Sequence, residues 1–151
     1  MELLRGMGES SKSMKTKTTA APAACPCGSG AAYLDCCGRF IAGAALPDTA
    51  EQLMRSRYSA YTLCEEDYVR ATWHPSTRPP DLQADPKVQW LGLKIITTEA
   101  GGPADVRGLV EFVARYKLGG RAHRLHERSR FARHQGRWYY VDGDLSPERD
   151  H

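Results

Sequence analysis

Four of the five cysteines in this 151-residue chain lie within thirteen residues, and together they could bind one metal ion. They follow the spacing C-x-C-x8-C-C and are Cys25, Cys27, Cys36 and Cys37. Four thiolates complete the tetrahedral shell of a structural Zn²⁺, and a segment this short cannot fold on a hydrophobic core of its own. Gly28 and Gly30 permit the tight turn that brings the first pair of sulfurs to the second. The sequence therefore predicts a zinc knuckle over residues 25–43, and an all-thiolate site also accepts iron.

The competing interpretation of these cysteines is a pair of disulfides. Because Cys36 and Cys37 are adjacent and a bridge between neighbours is strained, any bridges would have to join the two pairs. The first residues of the chain carry scattered polar and basic groups without the apolar core of a secretory signal. Clustered cysteines in a reducing compartment usually bind metal, so the sequence favours a metal site and a cytoplasmic location. The chain also lacks the roughly 20 consecutive apolar residues that a membrane span requires.

The rest of the chain divides into one main domain and two short tails. Residues 1–24 are rich in Ser, Thr, Lys, Ala and Gly without periodicity, which predicts a disordered tail. Within this tail, either Met1 or Met14 could be the true start of the protein. The main domain is predicted over residues 48–145, and residues 146–151 form the second tail.

Two helices are predicted at the start of the main domain. A capping box begins the first helix at Thr49. Its inward stripe, at helical spacing, consists of Ala50, Leu53, Met54, Arg57, Tyr58 and Tyr61. A second, shorter helix is predicted from Glu65 to Trp73, and His74-Pro75 ends it.

After a proline-rich loop, the hydrophobic period changes from that of a helix to that of a strand. Four strands are predicted, with short glycine-bearing connections between them, at about residues 88–99, 105–117, 121–134 and 137–142. Such connections join neighbouring antiparallel strands, so the strands form a meander. Helices followed by such a sheet predict an α+β fold with the helices packed on one face.

One carboxylate in the third predicted strand falls on the side of the sheet that should be buried. Glu127 shares its face with Leu125, Ser129 and Phe131, whereas the alternate positions are basic. A buried carboxylate is costly unless it is paired or protonated. In a structural interpretation, Arg57 of the first helix pairs with Glu127 and fixes how helix and sheet pack. In a functional interpretation, Glu127 and His74, with Trp73 as an apolar wall, line a pocket for binding or acid–base chemistry.

Positive charge is concentrated in the second half of the chain, although the net charge is only +3. Residues 105–137 contain nine Lys or Arg residues, three acids and three histidines. Such asymmetry could attract RNA or another anionic partner, but the sequence favours the simpler explanation, a solvated outer face of the sheet. Nucleic-acid binding has the weaker support, because aromatic side chains are not interleaved with these arginines for base stacking.

Several segments of the chain resemble a known family. The stretch CPCGSGAAYLDCCGRFIAG resembles the SEC-C metal-binding motif, best known from the protein-export motor SecA. The segments TAEQLMRSRYSAYTLCEEDYVRATWHPSTRP, LHERSRF and GRWYYVDGD resemble the YchJ family. That resemblance implies a SEC-C motif joined to a nuclear-transport-factor-2-like domain, in which a curved antiparallel sheet and helices form a cone. In the motif, Cys25, Cys27, Cys36 and Cys37 would be the metal ligands.

What the resemblance implies about function is less specific. Similarity to the SEC-C motif of SecA implies a non-catalytic docking module that binds a protein or ribosomal partner through the zinc knuckle. Because cone domains also include enzymes, the alternative is a lyase, isomerase or hydrolase with a pocket in the cone. Relatives of this fold also suggest a homodimer through the sheet.

Overall fold

The computed structural model of the protein describes residues 24–146. Its sheet has four antiparallel strands in the order β1-β2-β3-β4, which are Gln89–Ala100, Arg107–Leu118, Arg121–His134 and Arg137–Ser146. The helices are α1 Cys37–Ile41, α2 Ala50–Thr62 and α3 Glu66–Ala71, preceded by a 3-10 turn at Tyr33–Asp35. This architecture confirms the predicted α+β class. The predicted tails lie outside the described residues, apart from Ala24 and Ser146.

The structure corrects the bounds of two predicted elements. The fourth strand was predicted to end at residue 142, but β4 continues to Ser146 because its last residues pair with β3 as far as His126. The second helix was predicted from Glu65 to Trp73 and is shorter, since Trp73 instead forms a parallel β-bridge with Tyr140. Register shifts in β1 and between Arg130 and Phe131 interrupt the regular pairing, and irregularities of this kind bend strands.

Helix α2 lies on the inner face of the sheet, where its apolar stripe forms the main core. Thr49 begins the helix, and its Oγ1 accepts a hydrogen bond of 3.1 Å from the Gln52 backbone N–H. The Gln52 side chain accepts one from the Asp48 N–H at 2.6 Å, one residue before the position expected in a capping box. Leu53 packs in one cluster with Val110 and Phe131, all nearly inaccessible to solvent.

The first turn of α2 packs against two glycines of the β1–β2 hairpin. The Ala50 N–H donates a 2.9 Å hydrogen bond to the carbonyl of Gly101. A Cβ on Gly108 would lie 2.6 Å from the Gly101 Cα and 2.9 Å from the Ala50 Cβ. Only glycine at position 108 therefore allows this close approach of helix and hairpin.

We expect Gly108→Ala to lower the free energy of unfolding by about 2 kcal/mol, because overpacking at a backbone contact forces the elements apart. Urea denaturation followed by tryptophan fluorescence measures the change. Gly102→Ala is the matched control, since the nearest atom to its added Cβ, the Asp105 Oδ2, lies at 3.4 Å. Equal effects of the two substitutions would contradict the packing explanation.

Candidate metal centre and the neighbouring cavity

The four clustered cysteines bring their sulfur atoms together. All four Sγ atoms lie within 4.8 Å of one another, with 3.7 Å between Cys27 and Cys36 and 4.0 Å between Cys36 and Cys37. A Zn²⁺ ion bound at 2.3 Å to four thiolates requires sulfur–sulfur distances of about 3.8 Å. A disulfide would require about 2.05 Å, and all five cysteines of the chain are free thiols. The cluster can therefore hold a metal ion in tetrahedral geometry.

A backbone hydrogen bond and two glycines shape the loop that carries the first two cysteines. The Cys25 N–H donates to the Ala31 carbonyl at 2.9 Å, which ties the two ends of the first loop together. Gly28 and Gly30 have φ angles of 81° and 90°, a backbone conformation that favours glycine. The two glycines thus supply the turn that leads the chain from Cys25 and Cys27 back towards Cys36 and Cys37.

The knuckle packs directly on helix α2. Cys25, Cys27 and Cys37 are buried in the same core cluster as Leu53 of α2. Cys25 Sγ lies 3.5 Å from Ser59 Oγ, while Arg55 donates from Nη1 to the Cys27 carbonyl at 3.0 Å and contacts its Sγ at 3.8 Å. The four-cysteine cluster is therefore part of the domain core.

The environment of Cys27 favours its thiolate. Its pKa falls to about 4, chiefly because the Cys37 thiol donates a hydrogen bond to it, with further donors at Ser29 and Arg55. The same hydrogen bond raises the pKa of Cys37, since its proton is shared with Cys27. Metal binding requires deprotonated sulfurs, so these hydrogen bonds favour the form of Cys27 that binds metal.

Three of the four predicted pocket residues line one cavity between α2, Trp73 and the inner face of the sheet. The cavity has a volume of about 320 Å³ and is lined by Arg57, Trp73 and Glu127. Tyr58 and Tyr61 of α2 also face it. We refer to it below as the cone cavity.

His74 does not join this cavity. It follows Trp73 in an extended segment that bridges to β4, and consecutive side chains in such a segment point to opposite sides. Its Nδ1 lies 2.8 Å from Ser76 Oγ, and its ring contacts Tyr139. His74 therefore does not line a pocket together with Glu127, as the functional interpretation predicted.

Arg57 and Glu127 face the same cavity but do not form the predicted ion pair, since no ion pair within 4.0 Å joins them in the described chain. Arg57 donates from Nη1 to the Val69 carbonyl at 2.9 Å and to Thr72 Oγ1 at 2.8 Å. Its guanidinium also lies 4.6 Å from the centre of the Tyr140 ring. Burial lowers the pKa of Arg57, because the charged form loses its hydration.

Tyr140 connects the two charged groups, and the sequence reasoning missed it. Its hydroxyl donates to Glu127 Oε2 at 2.9 Å, and Ser129 Oγ donates to the same oxygen at 2.7 Å. Burial, followed by the charge of Glu127, raises the pKa of Tyr140. Its inward orientation could have been predicted from strand alternation, because it lies two residues after the buried Trp138.

A second concavity lies on the outer face of the sheet beside the knuckle. Pro26 and Gly28 form one side, and β1 and β2 form the other, with a volume of about 410 Å³. Lys94 and Arg115 line it, and both are exposed. We call this concavity the basic groove.

Comparison with known proteins assigns the fold to a family. Residues 49–143 match the family model described as YchJ, middle NTF2-like domain. The chain belongs to the YchJ family. Residues 23–39 match the SEC-C motif, so both parts of the resemblance are confirmed. Along the part of the chain that the structure describes, no helix has the length and apolar character needed to cross a membrane.

Curated relatives and solved structures match this YchJ-family chain over most of its length. A UPF0225 protein of Cupriavidus metallidurans is 58% identical, with 87% of this chain and 95% of the relative aligned. A UPF0225 protein of Ralstonia nicotianae is also 58% identical, covering 87% of this chain and 99% of the relative. The solution structure of a SEC-C motif containing protein from Rhodopseudomonas palustris matches with a TM-score of 0.71 at 37% identity, covering 82% and 98% of the two chains. A crystal structure of a SEC-C motif containing protein from Psychrobacter arcticus has a TM-score of 0.67 at 26% identity, with 88% of each chain covered.

Proposed function

We propose that this protein is a zinc-stabilised docking module that binds an acidic segment of a protein partner in the basic groove. The proposal is supported by the position of the groove between two parts of the protein: the knuckle forms one wall and the sheet forms the other. Four thiolate ligands leave a zinc ion no open coordination position, so its role is structural. The metal then holds Pro26 and Gly28 in place as one wall of the groove.

The charge distribution on the outer face of the sheet favours an acidic partner at this end. Far from the knuckle, basic residues have acidic neighbours: Arg128 lies 3.8 Å from Glu99, and Arg130 lies 2.6 Å from Asp142. Lys94 and Arg115, in contrast, form no ion pair with any of residues 24–146. Two exposed cations beside the groove can therefore pair with carboxylates of a partner.

The remaining lining favours a protein segment over RNA. Leu91 and Ile96 are exposed apolar side chains at the groove, with 41% and 47% of their surfaces accessible. The lining contains no aromatic ring on which a base could stack. A peptide that alternates acidic and apolar residues would match both features.

The metal is tested by elemental mass spectrometry on protein purified without added metal or chelator. We expect one equivalent of zinc per chain. One equivalent of iron would mean that iron, bound by the same four thiolates, takes the structural role proposed for zinc. Absence of any metal would contradict the role of the knuckle as a metal-held wall.

Docking is tested by fluorescence anisotropy with a labelled peptide of alternating glutamate and leucine. We expect the double variant Lys94→Glu/Arg115→Glu to weaken binding at least roughly tenfold, because charge reversal replaces two attractions with repulsions. The variant Arg107→Glu/Arg128→Glu is the matched control, with the same change of charge on the same sheet face away from the knuckle. Equal losses in both double variants, or tighter binding of oligouridine than of the peptide, would contradict docking of an acidic peptide in the groove.

A further inference from the structure

The cone cavity has the construction of a small-molecule site. Its volume of about 320 Å³ equals the liquid volume of roughly ten water molecules. Half of its twelve lining residues are aromatic: Tyr58, Tyr61, Trp73, Trp90, Phe112 and Tyr140. An enclosure with mostly apolar walls and a few convergent polar groups is the usual form of a ligand pocket.

The aromatic walls leave ring surface available to a guest. Trp90 meets the edge of Tyr58 at a centroid distance of 5.7 Å, and Trp73 meets Tyr140 edge-on at 5.0 Å. Trp73, Trp90 and Tyr140 are only half-buried although they line a concavity. A flat ring placed between these side chains would cover apolar surface and gain stacking or edge contacts.

At one side of the cavity, Arg57 presents a buried hydrogen-bond donor. Only 4% of the residue is accessible, and its two hydrogen bonds, to Val69 and Thr72, both come from Nη1. Nη2 and Nε donate to no group within residues 24–146, so they are available to an oxygen of a ligand. A hydrogen bond from a buried guanidinium is stronger than one between neutral groups.

Glu127 presents an acceptor to the same cavity. Both donors that hold it, Ser129 and Tyr140, bind Oε2, which leaves Oε1 for a donor on the ligand. The carboxylate rests against the backbone of β4 at Gly143, where a Cβ would overlap Oε2 and lie 2.7 Å from Cδ. Gly143 therefore allows the position that Glu127 occupies.

The charges that line the cavity balance, because one guanidinium and one carboxylate face it and do not pair directly. An anionic guest would leave an excess negative charge among mostly apolar walls, which is costly. A neutral guest adds no such charge and can bridge the two groups.

We propose that the cone cavity binds small, neutral, planar aromatic molecules that carry a carbonyl oxygen at one end and a hydroxyl or amine at the other. The carbonyl accepts from Arg57, the hydroxyl or amine donates to Glu127, and the ring lies among the aromatic walls. This site is separate from the basic groove, which lies on the opposite face of the sheet.

The test uses metal-loaded full-length protein and three probes observed by saturation-transfer NMR and by titration. 4-Hydroxybenzamide carries both functional groups, benzamide lacks the hydroxyl, and 4-hydroxybenzoate adds a negative charge. We expect 4-hydroxybenzamide to bind most tightly and the other two to bind roughly tenfold more weakly, since each leaves a buried polar group unpaired or adds a buried charge. No detectable binding of any of the three, or equal affinity for all three, would overturn the proposal.

Variants of the protein test the assigned contacts. Arg57→Met should weaken both benzamides at least roughly tenfold, because both use their carbonyl oxygen. Gly143→Ala displaces Glu127 without removing it, so it should weaken 4-hydroxybenzamide and leave benzamide unchanged. Arg128→Met on the outer face is the control and should change neither. Unaltered binding of 4-hydroxybenzamide to both Arg57→Met and Gly143→Ala, each folded at the assay temperature, would place the ligand elsewhere and overturn the assignment.

Discussion

Removal of the metal should destabilise the whole domain, beyond the knuckle itself. We expect Cys37→Ser to abolish stoichiometric metal binding and to lower the thermal midpoint by more than about 10 °C. The physical reason is that Cys25, Cys27 and Cys37 belong to the same buried cluster as Leu53, Val110 and Phe131. Without the metal, this part of the core loses the bonds that hold the knuckle against α2.

Differential scanning calorimetry together with elemental analysis measures both parts of this result. Cys64→Ser is the matched control, because Cys64 lies after α2, outside the cluster, and is only half-buried. Its substitution should leave the metal content unchanged and shift the midpoint by only a few degrees. If Cys37→Ser lost its metal and kept the native midpoint, the knuckle would be an appendage and its packing on α2 would contribute little.

The four-cysteine cluster shows where sequence reasoning is strong. Ligand type and spacing are local properties, so four cysteines with two intervening glycines predicted a tetrahedral thiolate site directly. That the knuckle packs on α2 could not be predicted in the same way. It depends on Ser59 and Arg55, which are separated from their cysteine partners by 34 and 28 residues.

The cone cavity shows where such reasoning ends. Strand alternation predicted correctly that Glu127 faces inward, because the side-chain period of a strand is two residues. It could not predict its partner, because a period specifies a face and leaves distances across the core undetermined. Both residues instead bind groups from segments distant in sequence. The end of α3 accepts hydrogen bonds from Arg57, and Tyr140 of β4 donates one to Glu127.

The homodimer through the outer face of the sheet stays a prediction.

Loss of the Arg57 side chain should be among the most destabilising single changes in the helical layer. We expect Arg57→Ala to lower the free energy of unfolding by about 3 kcal/mol, because it leaves a cavity and removes two buried hydrogen bonds. Those bonds join α2 to the Val69 carbonyl and the Thr72 hydroxyl at the end of α3. The guanidinium also lies 5.1 Å from the centre of the Trp73 ring, so truncation removes support from the segment that follows α3.

Arg57→Met separates the contribution of volume from that of charge. Methionine fills much of the same space and carries no charge, so no unpaired charge has to be buried. We therefore expect Arg57→Met to lower the free energy of unfolding by only about 1 kcal/mol. Urea denaturation of both variants, followed by tryptophan fluorescence, gives the two values. A methionine variant as unstable as the alanine variant would show that the hydrogen bonds to α3 dominate. If both variants were as stable as the native protein, the hydrogen bonds of Arg57 to α3 would contribute little to folding, and the expectation would be wrong.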